Sequence, residues 1–266
     1  MGIVNVTPDS FSDGGDLYAN AQLDLSKTLS VIEKMLNDGA DIIDIGGEST
    51  RPGASSVSAQ QELDRVLPVL ESVIERFDTL VSVDTSTAAV MTEAAKKGAS
   101  LINDVRALTR EGALAAAAMT QLPVCLMHMQ NQPQTMQNEP TYTDVVAEVL
   151  AFLAERKNSC MTAGIDSKKI ILDPGFGFGK TLAHNLTLFS AIDQFVGTGH
   201  PVLVGVSRKA MIGQMLGLEH TEQRLMGSVT LALLAAQRGA AILRVHDVLE
   251  TKQAIDVWQT TIKDED

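Results

Sequence analysis

Residues 80–84 read LVSVD, a short and mostly apolar run that ends in a carboxylate. Short runs rich in Val, Ile and Leu favour buried β-strands. A segment with helical periodicity follows this run, and strands that alternate with helices are typical of a parallel sheet covered by helices. The number of times this unit recurs therefore decides the fold.

The unit recurs along the whole chain. Counting LVSVD, eight such runs are present: GIVNV (2–6), DIIDI (41–45), LVSVD (80–84), SLIND (100–104), PVCLM (123–127), KIILD (169–173), PVLVG (201–205) and AILRVH (241–246). A (β/α)₈ barrel typically needs about 250 residues, and the chain has 266. We predict an α/β fold, a single (β/α)₈ TIM barrel. Because no low-complexity linker interrupts the chain, one domain is predicted over residues 1–266.

The helix boundaries have their own signals. Ser58 and Gln61 have the spacing of a capping box, and Ser86 is a predicted N-cap after the LVSVD strand. Glycine commonly ends helices. Four glycines are predicted to end a helix shortly before the next strand: Gly39, Gly98, Gly164 and Gly239.

Two connections are longer than simple turns, at residues 7–20 after the first strand and 46–57 after the second. Both are rich in Gly, Pro, Ser and Asp. Long loops in compact domains are usually functional or disordered. We predict that these two loops are mobile lids.

Charge and cysteine content exclude several classes of protein. A net charge of −12 and a pI near 4.8 argue against nucleic acid or an anionic membrane as partner. Neither a signal peptide nor a membrane-spanning run of about 18 apolar residues is recognisable. Cys125 and Cys160 lack metal-ligand spacing and predict a reduced, cytoplasmic protein rather than a disulfide framework.

Polar residues follow nearly every predicted strand. In such a barrel the active site lies where the strands end, so these side chains are predicted to meet at one mouth. They are Asn5, Glu48, Ser49, Thr50, Arg51, Asp84, Asn103, Asp104, His128, Asp173, Ser207, Arg208, Lys209, Arg244 and His246.

An anion site is predicted after strands seven and eight, where barrels of this kind often bind phosphate. Arg244 and His246 share one face of a strand because side chains alternate. Ser207, Arg208 and Lys209 follow the neighbouring strand. The alternative is that Arg208 and Lys209 form a solvated pair and that His246 is an ordinary rim histidine.

Asp84, Asn103 and Asp173 are suited to a planar ligand. Carboxylates accept hydrogen bonds from an amidine-like edge, such as that of a 2-aminopyrimidinone ring, and Asn103 both donates and accepts. The alternative role for the two carboxylates is helix capping or a turn, especially for Asp173, which precedes Pro174 and Gly175.

The segment DPGFGFGK (173–180) interleaves glycines with Phe176 and Phe178. A glycine-rich loop alone is a weak sign of phosphate binding. The aromatic residues indicate a flat wall against a planar ligand, with core packing of at least one of them as the alternative. His128, between two methionines, has no predicted role.

Asn5 supplies a neutral amide oxygen. That suits a Mg²⁺ ion that keeps most of its waters and is held chiefly by substrate phosphates. The alternative is a hydrogen bond to neighbouring loop backbone.

With these residues in view, the chain closely resembles the bacterial dihydropteroate synthases along nearly its whole length. The motifs that carry the resemblance occur in order, each at a strand end: MGIVNVTPDSFSDGG (1–15), GGESTRPG (46–53), SVDTS (82–86), IND (102–104), DPGFGFGK (173–180), SRK (207–209) and RVHDV (244–248).

The resemblance implies a role for each matching position. Asn5 would contact magnesium, while Thr50, Arg51, Arg244 and His246 would bind phosphate oxygens. Asp84, Asn103 and Asp173 would bind the pterin ring, with Lys209 against it and Phe178 as its wall. Ser207, Phe11 and Pro52 would border the 4-aminobenzoate pocket, where sulfonamides compete. The implied catalytic residues are Asp84, Lys209, Arg244 and His246.

The implied reaction replaces the diphosphate of a dihydropterin by the nitrogen of 4-aminobenzoate. The resemblance also implies a homodimer acting on small molecules. Family members usually carry a short segment ahead of the first strand, so the floor of this barrel is expected to be less well plugged. The rival functions are a pterin-binding methyltransferase, which needs no diphosphate clamp, and a non-catalytic pterin or phosphate carrier.

Overall fold

Eight parallel strands close into a barrel. The computed structural model describes residues 1–7, 18–19, 22–49, 57–131, 136 and 140–262. The barrel strands within these ranges each overlap a predicted run: β1 (Gly2–Asn5), β2 (Ile42–Gly46), β3 (Leu80–Asp84), β4 (Leu101–Asp104), β5 (Val124–Met127), β6 (Ile170–Asp173), β7 (Leu203–Val204) and β8 (Ile242–Leu243).

The order of the strands around the barrel follows the chain. Strands β1 to β6 pair in sequence, and β7 pairs with β8. Single parallel bridges from Leu172 to Val202 and from Gly2 to Val245 join these two sheets. The backbone of Val245 bonds Met1 and Ile3, which closes the ring. The predicted (β/α)₈ barrel is confirmed.

Helices cover the outside of the barrel. Within the described ranges they are α1 (Leu25–Asn37), α2 (Ala59–Arg76), α3 (Ala88–Lys96), α4 (Ala113–Thr120), α5 (Val145–Thr162), α6 (Leu182–Ser190), α7 (Ile192–Val196), α8 (Ala210–Leu216), α9 (Leu225–Gln237) and α10 (Val248–Ile262). Two residue pairs, Tyr18–Ala19 and Gln22–Leu23, form a short antiparallel ladder apart from the barrel. In the part of the chain that the structure describes, none of the helices is long and apolar enough to span a membrane.

Most of the predicted helix boundaries are confirmed. The capping box of Ser58 and Gln61 is present. All four predicted glycines have positive φ, between 91° and 97°, and each end shows the paired backbone bonds of a Schellman motif, as in Ala40 N–H to Met35 and Gly39 N–H to Leu36. Helix-ending glycines therefore return the chain to the barrel at α1, α3, α5 and α9.

The prediction for Ser86 was wrong. Helix α3 begins after Thr87, whose side chain makes no capping bond. Ser86 is buried and donates instead to the Asp104 carboxylate. A buried carboxylate without a partner is costly, so this bond takes precedence over helix capping.

Apolar side chains fill the space between strands and helices, with Phe176, Phe195, Ile43 and Leu126 among the largest fully buried ones. The two connections predicted to be lids lie largely outside the described residues. At the floor of the barrel, a cavity of about 520 Å³ is lined by Met1, Leu243 and Trp258, among others. The opposite end holds a larger set of polar side chains.

Candidate active site

A cavity of about 550 Å³ opens where the strands end. Its lining includes Asn5, Ser49, Asp84, Asn103, Asp173, Phe178, Ser207, Arg208, Lys209, Arg244 and His246, so the structure brings these predicted residues together. Thr50, Arg51, Phe11 and Pro52 lie outside the described residues.

Strand register explains why the side chains on the first four strands meet. Asn5 is paired with Gly46, Gly46 with Asp84, and Asp84 with Asn103. Paired residues of a parallel ladder lie at the same height and point the same way. A Cβ on Gly46 would lie 3.6 Å from Asn5 Oδ1 and 3.5 Å from Asp84 Cβ. These residues thus form one row at the rim.

Arg244 joins two carboxylates at the centre of the cavity floor. Its Nε donates to Asp44 Oδ2 at 2.6 Å, and its Nη2 donates to Asp84 Oδ2 at 2.9 Å. Asp44 is fully buried, and 13% of the Asp84 side chain is exposed. Although burial disfavours the charge of Arg244, Asp44 and Asp84 raise its pKa. The guanidinium therefore stays charged and holds both carboxylates.

One guanidinium does not fully offset two buried carboxylates. Burial raises the pKa of Asp84 to about 8, and the neighbouring charges of Asp44 and Asp104 act in the same direction against Arg244. Asp84 therefore retains its proton at a higher pH than an exposed aspartate does. A carboxyl that is poised between its two forms suits a site where positive charge develops.

Asn103 and Asp173 complete the polar floor. Asn103 donates from Nδ2 to Asp44 Oδ2 at 3.2 Å. Asp173 accepts the Gly175 N–H at 2.7 Å, so the alternative role in a turn is real. The same side chain also lines the cavity, and burial raises its pKa, opposed by Lys209 and by the Gly175 bond. Asp173 has both the structural role and the exposure to a ligand.

Lys209 and Phe178 form one wall. The ammonium of Lys209 lies 4.6 Å from the centre of the Phe178 ring and donates to the Phe176 carbonyl. Burial lowers the pKa of Lys209 to about 8, and Asp173 opposes this shift. Phe176 itself is fully buried. The sequence left two roles open for these residues, a wall of the site or core packing. Phe178 lines the cavity, and Phe176 is packed in the core.

Ser207 and His246 form a pair beside that wall. The Ser207 hydroxyl lies 3.0 Å from His246 Nδ1 and accepts the His246 backbone N–H at 3.1 Å. Arg244 and His246 both line the cavity, while Val245 between them is buried. The predicted alternation on the eighth strand is confirmed.

Arg208 and Lys209 are not a solvated pair. The Arg208 guanidinium is bound by the Asp247 carboxylate, with Nε to Oδ2 at 3.0 Å. Its backbone has a φ of 56°, in the left-handed region that non-glycine residues rarely adopt. The Ser228 hydroxyl accepts its N–H at 2.8 Å, which holds this conformation. Arg208 lines the cavity as part of an ion pair.

Asp104 lies behind the rim, in a network that includes Glu48, which lines the cavity as predicted. Asp104 is fully buried and accepts the backbone N–H groups of Arg106 and Leu108, each at 2.8 Å. Glu48 accepts Arg106 Nη1 at 2.8 Å and Nη2 at 3.2 Å. These contacts fix the turns after β2 and β4.

Sequence reasoning missed Asp44, Lys180 and Asn185. Asp44 lies two residues before Gly46 on β2, so both point to the same side of the strand, toward the inside of the barrel. This alternation is the sequence signal that could have identified Asp44. Lys180 and Asn185 line the cavity at the end of the glycine-rich segment and beyond it. Their roles depend on backbone carbonyls and amides, which sequence patterns do not display.

The fold and the side chains that line this cavity are those of one class of protein, the (β/α)₈ barrel enzymes with a site suited to a planar ligand and an anion. The profile of the family described as pterin binding enzyme matches residues 1–246, and the chain belongs to that family.

The chain is similar to several dihydropteroate synthases. That of Haemophilus influenzae is 54% identical over 261 residues, covering 98% of this chain and 93% of the relative. A crystal structure of the Yersinia pestis dihydropteroate synthase with a sulfonamide drug complex has 53% identity and a TM-score of 0.93, and covers 98% of this chain and 92% of that one. The Xanthomonas albilineans dihydropteroate synthase with 4-aminobenzoic acid has 48% identity and a TM-score of 0.90, with the same coverage.

The raised pKa of Asp84 predicts a pH-dependent stability. An unfolded aspartate has a pKa of about 3.9, whereas that of Asp84 in the folded chain is about 8. The stabilising contribution of its protonated form is complete below the unfolded value and is lost as pH rises through the folded value. As the pH rises from about 5 to about 8, the free energy of unfolding of the wild type should fall by up to about 1.4 kcal/mol per pH unit. Asp84→Asn has no proton to lose at this position, so its free energy of unfolding should lack this fall, and its stability relative to the wild type should increase with pH.

Urea unfolding of both proteins across that range measures this difference. A difference that does not change with pH would contradict the assignment to Asp84.

Proposed function

We propose that this cavity joins 6-hydroxymethyl-7,8-dihydropterin diphosphate to 4-aminobenzoate, giving 7,8-dihydropteroate and pyrophosphate. The observation that carries the proposal is that one cavity is lined by two different sets of side chains. Asp84, Asn103 and Asp173 form a hydrogen-bonding edge, and Lys209, Arg244 and His246 form a set of nitrogen donors beside it.

The ring belongs on the edge formed by Asp84, Asn103 and Asp173. Carboxylate oxygens accept from the amino and ring N–H groups of the pterin, and the amide of Asn103 matches a neighbouring donor and acceptor. The pterin ring lies against the wall formed by Lys209 and Phe178. The Lys209 ammonium is 4.6 Å from the centre of the Phe178 ring, a cation–π distance that keeps these two side chains together.

The diphosphate belongs with Arg244 and His246. Arg244 has five N–H donors, and its bonds to Asp44 and Asp84 use the Nε hydrogen and one of the Nη2 hydrogens. The remaining hydrogens suit phosphate oxygens, for which the planar guanidinium is well shaped. Thr50 and Arg51 stay predictions for the same role.

The arylamine belongs beside Ser207, at the mouth of the cavity. Ser207 is held in place by His246, with 3.0 Å between the hydroxyl and Nδ1. The Xanthomonas albilineans relative with 4-aminobenzoic acid supports the choice of this substrate. Phe11 and Pro52 stay predictions as borders of the same pocket.

Magnesium fits the donors at the rim. Among the described residues, no cluster of three or more His, Cys, Asp or Glu side chains is placed to hold a metal by itself. Asn5 offers one amide oxygen at the rim, and that is suited to an ion held chiefly by the diphosphate and its own waters. Bound there, magnesium would supply positive charge to the leaving group.

The reaction is a substitution at the exocyclic methylene carbon of the pterin. The amine nitrogen donates its electron pair to that carbon, the carbon–oxygen bond breaks, and its electron pair leaves with pyrophosphate. The amine then loses one proton to solvent. Arg244, His246 and Lys209 stabilise negative charge on the leaving group, and the Asp84 carboxylate stabilises positive charge on the ring. A covalent enzyme intermediate is not required.

The test is turnover by purified protein supplied with the dihydropterin diphosphate, 4-aminobenzoate and Mg²⁺. We expect equal amounts of pyrophosphate and 7,8-dihydropteroate, the latter identified by its mass. Chelation of Mg²⁺ should abolish product formation, and added Mg²⁺ should restore it. Binding of the pterin without any product would identify a carrier and refute the proposal.

Lys209→Met should leave a folded barrel with kcat/KM reduced about 100-fold, since a positioned charge is lost where charge develops. The matched control is Lys252→Met on α10, where Lys252 pairs with Asp256 on the helix surface. Circular dichroism and steady-state kinetics on both variants separate folding from catalysis. Near-normal kinetics in Lys209→Met would rule out its role.

We also propose a single-domain homodimer that acts in the cytoplasm. Both cysteines are buried free thiols, as a reducing compartment favours. Leu216 on α8 and Met226 on α9 expose 54% and 71% of their surface, and a Cβ on neighbouring Gly227 would lie 3.3 Å from Leu216. This small apolar surface supports self-association. Sedimentation equilibrium should give twice the chain mass, and a monomer at all concentrations would contradict it.

A further inference from the structure

Lys180 lies inside the turn made by the glycine-rich segment 173–180. Only 4% of the residue is exposed. Its ammonium donates to the Gly175 carbonyl at 2.8 Å and to the Phe178 carbonyl at 3.0 Å, and it lies 3.0 Å from His128 Nδ1 and 3.3 Å from the His128 carbonyl. An ammonium has three hydrogens. Four acceptor atoms therefore surround three hydrogens, and the full donor capacity of the ammonium is used.

The backbone of segment 173–180 is tightly folded, and hydrogen bonds within the segment stabilise this conformation. Gly175, Gly177 and Gly179 have φ values of 71°, 81° and 63°. A Cβ on Gly175 would lie 1.9 Å from the His128 carbonyl oxygen, and one on Gly179 would lie 2.7 Å from the Gln130 carbonyl oxygen. The segment is thus pressed against the backbone after β5, with the Lys180 ammonium between the two.

The proton distribution in this contact follows from burial. Burial and the charge of Lys180 lower the pKa of His128 to about 3, so its imidazole is neutral. Acceptance at Nδ1 then places its proton on Nε2. Burial lowers the pKa of Lys180 to about 7, and Asp173 opposes the shift. Because the pKa of His128 lies well below that of Lys180, the proton between them stays on Lys180, and His128 is the acceptor.

Two groups of the pterin wall depend on this segment. Phe178 is part of it, and the carbonyl of Phe176 accepts the Lys209 ammonium. The Phe178 carbonyl that Lys180 binds belongs to the same residue whose ring lies 4.6 Å from Lys209. Asn185 adds a second hold, since its Oδ1 accepts the Gly177 N–H at 2.7 Å.

We propose that Lys180 is a positioning residue for the pterin ring: its ammonium gathers the carbonyls of segment 173–180 and so sets the spacing between Phe178 and Lys209. Lys180 acts through the segment and contacts no reacting atom. The inference rests on the proposed function, because it assigns the affected site to the pterin substrate.

The test replaces the ammonium by an apolar group of similar length. Lys180→Met should raise the KM for the pterin diphosphate about tenfold, the equivalent of one hydrogen bond to a charged group. The KM for 4-aminobenzoate at saturating pterin should change less than about twofold, because the amine pocket lies beside Ser207. The matched control is Lys169→Met, since Lys169 at the other end of β6 donates to the Gln121 carbonyl outside the cavity.

A purely structural role makes a different prediction. It would lower the active fraction and hence kcat, while the pterin KM stays at the wild-type value, and that outcome would overturn the proposal. Equal kinetics in Lys180→Met and the wild type would also overturn it. Wild-type protein that forms no product would instead refute the proposed function, so the two failures are distinguishable.

A second pair of variants covers the case in which Lys180→Met does not fold. His128→Leu removes the side-chain acceptor and should raise the pterin KM about threefold, a weaker effect because the carbonyl acceptors remain. His128→Gln keeps an oxygen that accepts from Lys180 and should restore the wild-type KM. A wild-type pterin KM in His128→Leu would count against the proposal.

Discussion

The guanidinium of Arg244, held between the carboxylates of Asp44 and Asp84, is the interaction on which the rest of the site depends. Asp44 lies on β2, Asp84 on β3, and Arg244 immediately after β8. The two bonds therefore cross the barrel near the point where its ring closes. Removal of Arg244 would leave two buried carboxylates without their cation, and such losses are strongly destabilising.

The same interaction prepares the site for chemistry. Because one cation serves two carboxylates, burial is only partly offset, and the pKa of Asp84 is raised to about 8. At the buried floor the effective dielectric constant is low, so the electrostatic interactions of the charges that face the cavity are stronger than in water. A ligand with N–H donors on one ring edge would donate to the carboxylates, and a diphosphate on the same ligand would accept from the guanidinium. In the proposed function, closure of the fold and recognition of the substrate therefore share Arg244 and Asp84.

Much of this architecture was predictable from the sequence. Eight apolar runs overlap the eight strands because buried parallel strands require continuous apolar residues, and the polar residues that follow them meet because parallel strands end on one side. The helix-ending glycines were predictable for a similar reason, since only a residue that tolerates positive φ ends a helix in this way. Each of these signals is local in the chain.

The failures concern interactions between distant residues. Ser86 has the residue type of an N-cap, but the buried Asp104 carboxylate, which lies next to it only in the folded barrel, takes its hydroxyl. Arg208 lines the cavity as predicted, but its ion pair with Asp247 was not predicted. Asp44 and Lys180 were missed because their partners, Arg244 and the carbonyls of segment 173–180, are identified only by tertiary structure.

In the proposed complex, one cavity binds the pterin ring on Asp84, Asn103 and Asp173 and places the aryl group toward Ser207. A crystal structure of this protein with 7,8-dihydropteroate tests it most directly. We expect electron density for the pterin against the wall formed by Lys209 and Phe178, with its amino-pyrimidinone edge toward the two aspartates and Asn103. A pterin bound elsewhere, such as in the floor cavity beside Met1 and Trp258, or with its edge turned away from Asp84, would contradict it.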